Sequence, residues 1–112
     1  MRPDDRVRLR HIADALRAAI RFTEGRSRGD LDKDDMLVFA LLHAVQIVGE
    51  AAFKVSADFR SQHPEIPWEL ITGMRHRLVH AYFDINLDIL WTTATESVPE
   101  LLVEVDRLLA SD

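Results

Sequence analysis

The run Met36-Leu37-Val38-Phe39-Ala40-Leu41-Leu42-His43-Ala44-Val45-Gln46-Ile47-Val48-Gly49-Glu50-Ala51-Ala52-Phe53-Lys54-Val55-Ser56-Ala57-Asp58-Phe59 decides the fold. Met36, Phe39, Ala40, His43, Ala44, Ile47, Val48, Ala51, Val55 and Phe59 recur every three or four residues, the repeat of an α-helix. Leu37, Leu41, Val45 and Ala52 widen the stripe. A helix apolar over so much of its circumference is central in its domain or lies at a subunit interface. Acids from Asp30 to Asp35 suit its amino end, where the helix dipole favours negative charge. His63-Pro64 should end it, because a residue before proline avoids the α region.

Working outward, the same period governs the rest. Pro3, Asp4 and Asp5 suit a helix start, and Val7, Ile12, Ala13, Leu16, Ala19, Ile20 and Thr23 carry an apolar stripe until Gly25, Ser27 and Gly29 break it. After Pro64-Glu65-Ile66-Pro67, a third helix carries Trp68, Ile71, Met74 or Arg75, Leu78 and Tyr82. A fourth follows Asp84-Ile85-Asn86, with Asn86 as its cap, and runs through Leu90, Trp91, Ala94, Val98, Leu101, Val105 and Leu108. Pro99 sits inside that pattern and predicts a kink or a break. No segment has a period of two. The expectation is a single all-α domain over residues 1–112, an antiparallel bundle of four or five helices.

Composition bounds the chemistry. A chain of 112 residues is one domain. With no cysteine it has no disulfide, thiolate nucleophile, iron–sulfur cluster or cysteine zinc site. The net charge of −5 is unevenly spread: residues 2–28 hold eight arginines against Asp4, Asp5, Asp14 and Glu24, a local +4, which leaves −9 for the remainder. That balance disfavours a protein that coats nucleic acid wholesale. The first thirty residues lack an apolar signal core, and Met36–Leu42 is too short an uninterrupted apolar run to span a bilayer. A cytoplasmic protein with no membrane partner is the expectation.

Two arginines and two histidines fall within residues 75–80, inside Gly73-Met74-Arg75-His76-Arg77-Leu78-Val79-His80-Ala81-Tyr82-Phe83-Asp84. Histidine exchanges protons near neutral pH, and arginine grips a phosphate with two parallel hydrogen bonds. Tyr82, the single tyrosine, adds a hydroxyl. Phosphodiester chemistry needs such a set. The same cluster also suits a helix carboxyl end with no chemistry at all, since cations there complement the dipole.

Arg75-x-x-x-x-His80-x-Tyr82 resembles the signature of the HepT family in the HEPN superfamily of helical ribonucleases. Ile47-Val48-Gly49-Glu50-Ala51, Pro67-Trp68 with Ile71, Gly73, Met74 and Arg75, then Tyr82-Phe83, Trp91 and Val98-Pro99-x-Leu101 continue the likeness over nearly the whole chain. His76 departs from it, where the family usually has asparagine or aspartate.

The resemblance implies the toxin of a two-gene HEPN–MNT toxin–antitoxin module, of type II or a type VII-like kind. It implies a metal-independent RNA endonuclease acting on tRNA or mRNA, working as a homodimer with its two motifs facing across a cleft, with Arg75 and His80 catalytic. It also implies an MNT-type nucleotidyltransferase partner that silences the toxin by transferring AMP to Tyr82. The alternative is a non-catalytic helical partner, or substrate-binding subunit, of a nucleotidyltransferase.

Geometry bears on this. On one straight helix, positions 75 and 80 differ by about 140° and about 7.5 Å, so a helix end near His80 or a second subunit must help aim both at one phosphate. One His80 from each subunit can supply the base and the acid, Arg75 can hold the phosphate, and Gly73 can allow close approach.

Other residues have plain structural roles open to them. His76, His80 and Asp84 lie four apart and would share a helix face, a weak metal-ligand pattern, and no cofactor is implied. Glu50 falls on the broad apolar stripe, so it either pairs structurally with another helix or orients Arg75 and tunes His80; with His76 it is a supporting candidate. His43 reads as a core or interface histidine, His11 and His63 as surface residues, and Trp68 and Trp91 as core anchors. The arginines of the first helix read as a solvated face or, second, as an RNA-binding surface.

Overall fold

The structure, a computed structural model, describes residues 1–81 and 84–111, with the backbone alone at His80 and Ala81. It is an all-α bundle. Helix α1, Pro3–Thr23, opens on a proline that has no N–H to leave unmet, carries Asp4 and Asp5 in its first turn and Arg21 in its last, and ends before Gly25, which takes φ 69°. Leu9, Ile12, Ala13, Leu16 and Ala19 turn inward, against α2 and α7. A 3-10 turn at Arg28–Asp32 follows, closed by Ser27 and Asp30 and pinned by buried Leu31.

Helix α2, Asp35–Phe53, is capped by the Asp34 side chain, which accepts from the Leu37 N–H at 3.2 Å. Leu41, Val45, Val48 and Ala52 are its buried line. By length and composition α2 matches a membrane span, which the short run Met36–Leu42 did not suggest; in the bundle its inner side is the core of the domain.

The sequence period predicts one helix from the Asp30–Asp35 region to His63. The structure breaks it instead at Lys54–Ser56, and α3, Ala57–Gln62, starts afresh. The cause is distant in sequence. Asp5 of α1, only 3% exposed, accepts from the Ser56 N–H at 2.8 Å and from its hydroxyl at 2.7 Å. Ser56 Oγ in turn accepts from the Phe59 N–H and caps α3. A buried carboxylate with two donors is satisfied at this joint, and continuing the helix would forfeit both bonds.

Helices α4, Trp68–Thr72, and α5, Met74–Leu78, meet at Gly73. Trp68 is the core anchor expected of it, its Nε1–H donating to the His63 carbonyl at 2.9 Å, and Phe59 lies edge-on to its ring at 6.3 Å. Trp91 is only partly buried against the core. The third helix stops at Leu78 and does not reach Tyr82: Val79–Ala81 form a short strand β1, antiparallel to β2, Asp84–Ile85. The Asn86 N–H closes this reversal on the Leu78 carbonyl at 2.8 Å.

Asn86 then caps α6, Leu87–Thr92, as its side chain accepts from the Ile89 N–H. At the expected disturbance before Pro99 the chain runs through a π-helical turn, Thr93–Ser97, into α7, Val98–Ala110. Pro99 has no N–H to offer the preceding turn, and a wider turn accommodates that.

Candidate active site

Two buried residues aim the polar cluster. Met74 and Leu78, four apart on α5, are 7% and 0% exposed, and they lock one side of that short helix into the core. Arg75, His76 and Arg77 therefore face solvent. Arg77 is held by donating to the Leu70 carbonyl at 3.2 Å. Arg75 and His76 have no hydrogen bond or ion pair among the described residues.

Helix α5 ends immediately, with Val79 extended at φ −124°, ψ 109°. His80 stands on strand β1, not on the helix that carries Arg75. The angular separation of two positions on one straight helix thus does not apply, because the chain changes direction between them. The side chain of His80 and the whole of Tyr82 lie outside the described residues. The shared face for His76, His80 and Asp84 needs an unbroken helix, and Leu78 ends it; Asp84 sits exposed on β2.

The expectation of a buried Glu50 is corrected: Glu50 belongs to the exposed face of α2, and so does His43, which is therefore not a core histidine. The stripe is apolar on nearly all sides, so packing against α1 selected Leu41, Val45, Val48 and Ala52 and left Met36, Phe39 and Phe53 at 81%, 63% and 71% exposure. Glu50 is not a buried carboxylate, and its partner is Gln46, whose Nε2 donates to it at 3.0 Å.

Glu50 nevertheless lines a cleft with Arg75. An open cleft of about 300 Å³ lies between the carboxyl end of α2 and the α4–α5 joint, lined by Gln46, Glu50, Phe53, Lys54, Thr72 and Arg75. Gly49 packs against the α4 end there: a Cβ added to it would stand 3.4 Å from the Ile71 carbonyl oxygen and 3.7 Å from that of Thr72, ordinary contact distances. The structure thus brings Arg75 and Glu50 together, and His76 is not among the cleft residues. Sequence reasoning missed Phe53, Lys54 and Thr72. The available signal was the α2 period, which places Phe53 and Lys54 three and four residues beyond Glu50.

Elsewhere five arginines hold ion pairs. Arg2 pairs with Asp58, Arg17 with Asp106, Arg26 with Asp30 and Asp34, Arg28 with Asp32 and Asp88, and Arg107 with Glu65 and Glu104. The Asp34 side chain raises the Arg26 guanidinium above its ordinary value, and the Ser27 backbone N–H holds the Asp30 carboxyl below its own.

Comparison with known proteins bears on the same stretch. A family model described as "Ribonuclease HepT-like" matches residues 12–108. A protein of Caldanaerobacter subterraneus subsp. tengcongensis, named "Putative RNase", is 36% identical over 104 residues, 93% of each chain. One of Thermococcus cleftensis, named "Probable ribonuclease HepT", is 37% identical over 100 residues, 89% of this chain and 91% of its own. One of Methanocaldococcus jannaschii, also named "Putative RNase", is 32% identical over 103 residues, 92% and 94% of the two chains. No solved structure matches.

Proposed function

We infer the following from the premise that the chain belongs to the HepT-like ribonuclease family: it is a cytoplasmic, metal-independent RNA endonuclease, the toxin of a two-gene module. The observation that carries this reading is Arg75, an exposed guanidinium with no ion pair among the described residues, one short helix before a chain reversal that holds the backbone of His80.

In this reading one His80 takes the proton of an RNA 2′-hydroxyl, and that oxygen attacks the adjacent phosphorus. The bond from phosphorus to the 5′-oxygen breaks, and a second His80 returns a proton to the leaving oxygen. Arg75 grips the phosphate through two of its guanidinium nitrogens and offsets the charge that builds there. Two histidines in two roles require two subunits. The outer face of α2, with Met36 and Phe39 exposed, supports a homodimer. Light scattering on Phe39→Glu should give a monomer without nuclease activity, against a dimer for the unmodified chain.

An MNT-type nucleotidyltransferase would silence the enzyme by placing AMP on Tyr82, two residues past His80. The added phosphate would compete for Arg75 and repel the RNA backbone. Incubation with the cognate nucleotidyltransferase and ATP, followed by peptide mass mapping, tests this. AMP on the Tyr82 peptide with loss of cleavage supports it, and full neutralisation of Tyr82→Phe by binding alone contradicts it.

A further inference from the structure

We propose that Phe53 and Lys54, at the carboxyl end of α2, form with Arg75 a nucleotide subsite for single-stranded RNA. The base stacks on Phe53, and the phosphate next to the one held by Arg75 lies on Lys54. The proposal rests on the ribonuclease reading and extends it to substrate binding.

Three observations carry it. Phe53 and Lys54 line the same cleft as Arg75, so an aromatic ring and two cations share one concave surface. Lys54 and Arg75 have no ion pair among the described residues, whereas Arg2, Arg17, Arg26, Arg28 and Arg107 each have one. Phe53 is 71% exposed at the cleft, far more than packing of the bundle requires. Against Lys54 and Arg75 the cleft sets one acid, Glu50, which leaves it at +2 − 1 = +1 in a chain of net charge −5. A ring beside a short line of cations is how proteins hold single strands without reading sequence: every base has a face to stack, and every linkage a charge to neutralise. The Thr72 hydroxyl, which donates to the Glu69 carbonyl, adds a neutral polar wall.

The test uses the full chain and a fluorescent 2′-O-methyl oligouridylate, which keeps the phosphates and bases but has no 2′-hydroxyl to attack. Anisotropy should show Phe53→Ala binding about tenfold more weakly. Phe53→Leu should lose as much, because it keeps the apolar bulk and loses the ring, whereas Phe53→Trp should bind at least as well as the unmodified chain. Lys54→Gln should reduce the slope of log Kd against log salt by about 0.7, the share of one single-strand phosphate contact. Unchanged affinity in Phe53→Leu and an unchanged slope in Lys54→Gln would overturn the proposal. So would a Phe53→Leu variant that falls to half the molar mass in light scattering, because Phe53 would then be sealing a subunit contact. The two readings separate cleanly. Binding that depends on Phe53 and Lys54 without cleavage of ordinary RNA sinks the nuclease reading and keeps the subsite; cleavage indifferent to both residues does the reverse.

Discussion

Arg17 reaches Asp106 at 2.6 Å, Arg26 reaches Asp34 at 2.6 Å and Arg28 reaches Asp88 at 2.6 Å, whereas Arg75 has no ion pair among the described residues. The sequence contains more acids than bases, so a shortage of partners does not explain the difference. The amino-terminal arginines tie helix to helix or close a turn. Arg75 sits where Met74 and Leu78 fix the backbone, and its guanidinium has no hydrogen bond or ion pair among the described residues. Among the described residues Arg8, Arg10, Arg21, Arg60 and Arg77 are also without ion pairs, but the first three are spread over about 20 Å of α1, Arg60 stands on α3, and Arg77 donates to the Leu70 carbonyl. A charge already paired inside the fold has little left for a ligand. One held out over a cleft by a buried neighbour is available to it.

The sharpest way to break this comparison is to remove one arginine of each kind. Arg75→Ala should lower RNA cleavage by at least about a hundredfold, the usual cost of losing one group that stabilises transition-state charge, with no shift in melting temperature. Arg17→Ala should leave cleavage within about twofold. If both variants lose activity equally, the distinction between paired and free arginines fails.

A buried charge committed to the fold should give the opposite signature. Asp5→Ala strands the Ser56 N–H and hydroxyl, and chemical denaturation should show a loss of about 2–3 kcal/mol, with activity per folded molecule retained. A change in cleavage larger than the folded fraction explains would mean that the α2–α3 joint also shapes the cleft. Smaller again is Arg17→Gln in its stability effect, below about 1 kcal/mol, since the pair is nearly half exposed on both sides.

The smallest effect is that of pH on the turn before α2. The Arg26 guanidinium lowers the Asp34 carboxyl below its ordinary value, and the Ser27 backbone N–H does the same for Asp30. Groups with a depressed folded value stabilise above the unfolded one and lose that contribution as pH falls through the folded one. Denaturation midpoints should therefore be flat from neutrality to about pH 5 and fall below about pH 4, less steeply in Asp34→Asn. Equal slopes in the two proteins would show that this turn contributes nothing to acid sensitivity.

Much of the frame was legible because local signals suffice for it. Pro3 and Gly25 bracket α1, Asn86 caps α6, and Pro99 marks a disturbance that appears as a π-helical turn. What was not legible depends on distant partners. The period runs through Val55 to Phe59 without a fault, and only Asp5, 51 residues away, explains why Ser56 starts a new helix. The same holds for Glu50. Its helix is apolar on nearly every side, so the period could not say which side packs inward, and the packing of α1 decided it. Arg75 was legible as a motif residue, but its cleft was not, because Lys54 and Thr72 come to it from two other elements.

Acid–base cleavage at a 2′-hydroxyl, with the phosphate held by Arg75, leaves a chemical mark on its products. The direct measurement is the chemistry of the ends that the unmodified chain leaves on RNA in EDTA, read by mass spectrometry. Cleavage should proceed in EDTA, with 2′,3′-cyclic phosphate on one fragment, 5′-hydroxyl on the other, and neither formed by His80→Ala. Cleavage that begins only when a divalent metal is added, and that leaves 5′-phosphate ends, would contradict it.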